Sequence, residues 1–369
     1  MSLRTRYTNA VHIIKMPSFK NSQIPIPLLL FSTLLLTLIL AFLLDIALGS
    51  IQIPLNQVIT ILLGQQPEKT TWTSIILKFR LPKAFTATLA GAALGVSGLQ
   101  MQTLFRNPLA GPFILGISSG ASLGVALVVL TASATGIPTL LKDLGIIGDF
   151  GLVISASLGA ASVLGIMLVV ARRVRDTMTL LILGLLFGYA TSAIVSILLN
   201  FSSQERIQTY LIWTFGSFAG VTWTQMIILA PVILLGLLMA LLLSKPLNAL
   251  LLGESYARSM GLTVQKARFS IITSASVLAG AITAFCGPIA FLGVAIPHLC
   301  RSLFNTSDHR VLIPAVTMMG AILALIADLI SQLPGSQIVL PLNAITALIG
   351  TPVVTWVILK RNSQKSFPT

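Results

Sequence analysis

Between Ile26 and Leu359 the chain runs ten times into an apolar stretch, and that repetition decides what it can fold into. About 20 apolar residues wound as a helix cross about 30 Å of hydrocarbon. The stretches lie at 26–48, 84–104, 113–132, 151–171, 179–199, 224–243, 268–285, 289–304, 311–331 and 342–359. Those at 113–132 and 289–304 are the weakest, and the second is short for a full crossing. Residues of the AVILMFWYC set make up 55% of the 369 and DEKR only 9%, against roughly 25% charged in soluble domains. So few charges cannot cover a water-facing surface. A soluble enzyme, a disordered chain and a secreted disulfide scaffold are excluded. Strands of an outer-membrane barrel would alternate apolar and polar residues, and these runs do not. The expected class is all-α, a polytopic membrane protein of about ten transmembrane helices.

Charge sets the expected orientation. Lys and Arg number 23 and Asp and Glu 9, a net +14. With ten spans and the N-terminus inside, 17 of the 23 cations fall in inner loops and tails. That is the usual inside bias, with both termini cytoplasmic. Topology accounts for the excess, so no nucleic-acid partner is expected. Residues 1–24 form a basic tail carrying Arg4, Arg6, Lys15 and Lys20. The apolar run after it is longer than a signal-peptide core. Residues 25–360 read as one membrane domain and 361–369 as a second cytoplasmic tail. Four outer cations cluster in the first outside loop: Lys69, Lys78, Arg80 and Lys83. They are either solvated loop charges or a basic surface for an acidic partner or anionic solute.

Catalytic patterns are missing from the sequence. It has no GxxxxGK[ST] phosphate loop, HExxH or GxSxG. Cys286 and Cys300 lie in apolar stretches without metal spacing and read as small buried hydrophobes. His298 and His309 flank a turn, where structural hydrogen bonds are the favoured reading over a metal site. Two acids fall in or beside apolar spans. Asp45 sits near a helix end within reach of the interface, whereas Asp328 lies deeper with no evident partner. Intramembrane acids are functional candidates by default. Small residues at Gly91, Gly95 and Gly98 suit close helix packing in lipid. Breaks at Pro108, Pro112, Pro288, Pro297, Pro334 and Pro341 occur in both halves. Five spans per half would make the halves inverted repeats.

One inner loop, residues 244–268, is longer than a connection needs. Leu247, Leu250 and Leu251 have amphipathic helical spacing, Gly253 and Gly261 punctuate the chain, and Glu254 and Arg258 form an i, i+4 pair. The loop reads as two short helices, either lying on headgroups or docking a cytoplasmic protein. A chain without coupling chemistry but with such a protrusion points to a transporter driven by a partner.

Several stretches resemble the permease subunits of bacterial ABC importers for ferric siderophores, haem and vitamin B12, the FecCD/BtuC-type permeases. They are RLPK at 80–83, GAALGVSGLQMQTLFRNPLAGPFILG at 91–116, LNALLLGESYARSMG at 247–261, and GPIAFLGVAIPHLCRSLFNTSDHRVLIP at 287–314, followed by GAILALIADL and TALIGTP. The likeness covers about residues 75–360 and implies a BtuC-like fold. It also implies a second permease subunit (identical or paralogous), two ATPase subunits inside, and an extracytoplasmic solute-binding protein. No cofactor is implied in this chain, because ATP and Mg would bind the ATPase. The location implied is the bacterial inner membrane, and the function is ATP-driven import of a ferric siderophore first, or haem or cobalamin.

Site residues follow from the same resemblance. Arg80 and Lys83 occupy the positions that pair with acidic residues of the binding protein, Lys for Arg at 83 losing the bidentate fork. Leu247, Leu251, Gly253, Glu254, Ala257, Arg258 and Gly261 would contact the ATPase. Asn107, Pro108 and Leu109, with Asp176, Thr177 and Met178, would form the cytoplasmic gate. Pro297, His298, Arg301, Asp308, His309 and Arg310 match a characteristic cytoplasmic turn. The chain departs from the pattern at Gln332, where a third docking cation would stand, and at Val339 and Asn343. The competing reading is an ion-gradient-driven transporter using Asp328.

Overall fold

The computed structural model describes residues 26–131, 149–174, 177–336 and 338–365. Among them the expected stretches appear as helices: α1 (Ile26–Ala47), α4 (Leu81–Leu104), α5 (Ile117–Leu130), α6 (Asp149–Arg173), α7 (Thr177–Asn200), α9 (Trp223–Leu242), α12 (Val264–Cys286), α13 (Leu292–Phe304), α14 (His309–Ser331) and α15 (Leu342–Lys365). Short helices fill the connections: α2 (Leu55–Leu62), α3 (Thr70–Ile75), α8 (Gln204–Thr214), α10 (Ser244–Leu251) and α11 (Glu254–Ser259). One π-helical turn, Ile76–Arg80, joins α3 to α4. Helix α15 runs to Lys365, five residues beyond the expected domain end. The basic tail at 1–24 lies outside the described residues.

Among the described residues seven helices are long and apolar enough to cross a membrane, and three apolar helices (Ile117–Leu130, Leu292–Phe304, Leu342–Trp356) are shorter. Helices α5 and α13 start late because the chain first makes a turn with positive φ, at Gly116 (76°) and at Phe291 (65°). Irregular backbone at membrane depth survives only where protein satisfies it. Before α13 it does: Ala290 N–H donates to Asn343 Oδ1 at 3.0 Å, and Ser217 N–H donates to the Cys286 carbonyl at 2.8 Å.

Helix α4 is the hub, buried along almost its whole length and packed by α14, α12, α13, α9 and α1. Its sequence explains this, since small residues run through it on every side. A Cβ on Gly91 would lie 2.0 Å from the carbonyl oxygen of Gly320 on α14, and one on Gly98 only 1.7 Å from that of Gly293 on α13. Van der Waals contact between touching backbones is the main attraction left once water is absent. Several polar side chains of α4 find hydrogen-bond partners inside the bundle. Ser97 donates to the Ala275 carbonyl (2.7 Å), Gln100 to Ser274 (3.0 Å) and Gln102 to the Val294 carbonyl (3.1 Å). By contrast, α1, α7 and α9 turn broad apolar faces outward.

Packing repeats between halves. Taking α1, α4, α5, α6, α7 as one set and α9, α12, α13, α14, α15 as the other, α4 packs on α14 as α12 packs on α6. Likewise α4 on α13 mirrors α12 on α5, and α5 on α7 mirrors α13 on α15. Five helices per set make the two sets antiparallel, as an inverted repeat requires.

Replacing Gly91 by Val should therefore lower stability by about 3 kcal/mol or more, since neither backbone can yield. Gly220, with nothing within 4 Å of its would-be Cβ, should accept Ala within about 0.5 kcal/mol. Thermal melts of both variants in detergent check this. Equal melting temperatures would contradict it.

Candidate functional site

The polar residues singled out in the sequence gather at the two ends of the α4–α14 pair. At one end, α10 and α11 project from the bundle, joined through Leu252 and Gly253, whose φ of 107° suits only glycine. Their amphipathic spacing fastens them down: Leu247, Leu250 and Ala257 are buried. This corrects the expectation that Leu247 and Ala257 offer partner contacts. The exposed side chains include Leu252, Tyr256, Arg258 and Met260, with Lys245, Ser255 and Ser259.

A polar cluster holds this protrusion to the hub. The His309 backbone N–H and ring Nδ1–H both donate to Asn248 Oδ1 on α10, at 2.9 and 2.7 Å. His309 Nε2 meets Thr103 Oγ1 on α4 at 2.8 Å, and Asn248 Nδ2 donates to Asp308 Oδ1 at 2.6 Å. One histidine thus ties α4, α14 and α10. Asp308 also caps α14 by accepting from the Arg310 N–H at 3.0 Å. That bond, then the one from Asn248, holds its carboxyl below the usual range. Glu254 pairs more closely with Arg268 (2.6 Å) than with the expected Arg258 (3.5 Å). Arg268 also donates to the Val174 carbonyl at the end of α6.

The Asn107–Leu109 turn sits beside this cluster. Asn107 Oδ1 accepts from the Leu109 N–H (2.9 Å), His298 Nε2–H donates to the Pro108 carbonyl (2.7 Å), and Arg301 donates to Gln102 Oε1 (2.6 Å). So His298 and His309 make structural hydrogen bonds. Pro297 lies within α13, and Arg310 is exposed. Met178 is exposed at the start of α7, Thr177 opens that helix, and Asp176 lies outside the described residues. Among the described residues no group of three His, Cys, Asp or Glu could hold a metal ion.

At the opposite end the structure corrects the sequence reading most. Arg80 and Lys83 do not face solvent; they are 8% and 6% exposed. The Arg80 guanidinium caps the C-terminus of α1, donating to the carbonyls of Ile46 (2.8 Å), Ala47 (2.9 Å) and Ile51. Those carbonyls lack helical partners, and a planar fork of donors fits them. Lys83 Nζ lies 2.7 Å from Asp328 and 3.6 Å from Asp45. Asp45, near the end of α1, is fully buried in protein, and Asp328 is not alone, since Gln332 Nε2 also donates to its Oδ2 at 2.6 Å. Lys69 and Lys78 remain exposed in the same loop, Lys69 over the Trp72 ring. Val339 is exposed, while Asn343 binds main chain on both sides, donating through its N–H to the Phe215 carbonyl at 3.0 Å. At this end, too, a cavity of about 300 Å³ opens between α6, α8, α9 and α12, lined by Thr209, Trp213, Ser217, Gln225, Phe285 and Cys286 among others, none of them charged.

Removing one partner of a buried ionic group leaves a charge without compensation. Lys83→Met should cost about 3–5 kcal/mol, and adding Asp45→Leu and Asp328→Leu should restore most of the loss. Denaturation midpoints of the single and triple variants read this, and a harmless Lys83→Met would refute the cluster. At the other end, Asp308→Ala should raise amide hydrogen exchange in α10. With a depressed folded pKa, the contribution of Asp308 is present above the ordinary carboxylate range and disappears as pH falls through the lowered value, so the protection of α10 amides in the unaltered protein, after division by the intrinsic exchange rate at each pH, should stay flat from pH 6 to 8.

Residues 36–360 match the family described as the FecCD transport family. The chain is 39% identical over 288 residues to the vitamin B12 import system permease protein BtuC of Klebsiella pneumoniae, covering 77% of this chain and 82% of that protein. It is 37% identical over 288 residues to BtuC of Salmonella typhimurium, covering 77% and 83%. Among solved structures it is similar to a metal-chelate type ABC transporter in an inward-facing conformation, with TM-score 0.75 and 26% identity over 90% of this chain and 99% of that one. This multi-pass inner-membrane chain belongs to the FecCD transport family and is a permease subunit of an ABC importer of the FecCD/BtuC type.

Proposed function

We propose that the chain is one half of a paired conduit that moves a metal-centred chelate, cobalamin first, into the cytoplasm. ATP hydrolysis on two separate ATPase subunits would drive it. The observation that carries this is the fastened protrusion α10–α11, which leaves Leu252, Tyr256 and Met260 exposed on a rigid base. Exposed apolar side chains on an anchored element suit a protein partner. This end is assigned to the cytoplasm, with both termini, and the Asn107–Leu109 turn to the inner gate.

The sequence alone ranked ferric siderophores above cobalamin. One observation reverses that order: relatives 37–39% identical are named vitamin B12 permeases. Haem and ferric siderophores remain the alternatives to be assayed. Nothing favours an ion-gradient mechanism, because Asp328 is held by Lys83 and Gln332.

The outer binding protein would dock on the exposed part of the basic loop. With Arg80 and Lys83 folded inward, Lys69 and Lys78 are the cations available to an acidic partner.

Proteoliposomes holding this chain with its ATPase and binding protein should accumulate labelled cobalamin only with ATP. Accumulation without the ATPase, following a proton gradient, would overturn the assignment. In the same system Lys69→Glu with Lys78→Glu should weaken binding-protein docking about tenfold at low salt and less at high salt, as steering charges do. Arg80→Glu should instead reduce the yield of folded protein.

A further inference from the structure

A groove of about 440 Å³ runs along the outward side of α6, lined by Ala161, Ser162, Gly165, Ile166, Val169 and Val170. It is almost wholly apolar, and Gly165 opens it, because a Cβ there would meet nothing within 4 Å. Val169 and Ile166 are 58% and 44% exposed. At the α10–α11 end of the same helix, a separate small pocket is lined by Ala171, Arg172, Gln265 and Phe269, and the Arg172 guanidinium lies over the Phe269 ring at 5.2 Å. Gln265 then leads into a cavity of about 380 Å³ that Arg258 and Arg268 also line. Arg173 is exposed next to Arg172 at the end of α6. Arg268 is occupied by Glu254 and the Val174 carbonyl; Arg172 and Arg173, exposed three and four residues past Val169 in the last turn of α6, extend the face that carries the groove.

We propose that this groove and its cationic end form a binding site for an anionic phospholipid of the adjoining leaflet. One acyl chain lies along Gly165 and Val169, and the headgroup phosphate rests on Arg172 and Arg173. Charge complementarity selects the occupant. An apolar channel of this shape would take any acyl chain, but cations at its interfacial end select a negative headgroup over a zwitterionic one. A second copy of the chain would bring the same arginines against each other, which opposes pairing on this face. The lipid would bear on Arg258 and Gln265, beside the start of α12 and the end of α11. This inference needs only the membrane location, so it stands or falls separately from the importer reading.

The test is retention of defined lipids by the purified full chain, read by native mass spectrometry after exchange into mixed phosphatidylglycerol and phosphatidylcholine. The expected preference for phosphatidylglycerol is about fivefold for each contributing cation. Arg172→Gln with Arg173→Gln should abolish the preference while leaving total bound lipid nearly unchanged. Gly165→Leu should lower retention of both lipids, and Ile166→Trp, which obstructs the groove without touching α6 packing, should do the same if Gly165→Leu folds poorly. Lys69→Gln with Lys78→Gln should leave the phosphatidylglycerol preference unchanged. No preference in the unaltered chain, or a preference that survives loss of both arginines, overturns the site. Displacement of the phosphatidylglycerol preference by excess inorganic phosphate with chain retention lost as well would mean an anion site without a lipid, and also overturns it. Light scattering that shows a dimer broken by Ile166→Trp would assign the groove to a second copy instead.

Discussion

The contact between two bare backbones, Gly91 on α4 and Gly320 on α14, governs how the rest of this bundle is arranged. Hydrocarbon gives helices no solvent to escape from, so close approach and internal hydrogen bonds have to hold them. A helix as small-sided as α4 can be surrounded, and its polar side chains then meet partners on α12 and α13 rather than lipid. The same pair carries a polar cluster at each end: Lys83 with Asp328 at one, Thr103 with His309 at the other. The basic loop at one end and the α10–α11 protrusion at the other are thus both attached to one antiparallel pair.

Burial of Arg80 and Lys83 changes what each end can do. Lys83 and the two acids, each costly alone in hydrocarbon, offset one another between α1, α4 and α14, while Arg80 caps the end of α1. They fix three helix ends, and the surface charge of the loop falls to Lys69 and Lys78. A similar division holds in α10–α11. Leu247 and Leu250, which give the segment its apolar period, anchor it, and Leu252, Tyr256 and Met260 are left exposed.

The sequence made the helices legible because membrane spans are long and uniformly apolar. It also made α10 and α11 legible, because Gly253 and Gly261 punctuate an amphipathic run. Even the short α13 was visible in its length. What the sequence concealed was depth and pairing. Asp45 and Asp328 are far apart in the chain, and spacing within one helix says nothing of a lysine on another. Alternation of spans was the available signal: the end of α1, the start of α4 and the end of α14 must fall on the same side, so two acids and two cations share one layer. Glu254 failed the same way, its i, i+4 partner Arg258 yielding to Arg268 across a turn. Likewise the unusual Gln332 and Asn343 were readable as departures, but only their contacts with Asp328 and with main chain give them a purpose.

Sidedness decides every role assigned to these ends, and thiol labelling in intact cells measures it directly. With Cys286 and Cys300 replaced by Ser, a single cysteine at Lys78 should react with a membrane-impermeant maleimide added outside. One at Tyr256 should react only after the membrane is opened. Labelling of the Tyr256 position in sealed cells, with protection of the Lys78 position, would invert the molecule and contradict the account.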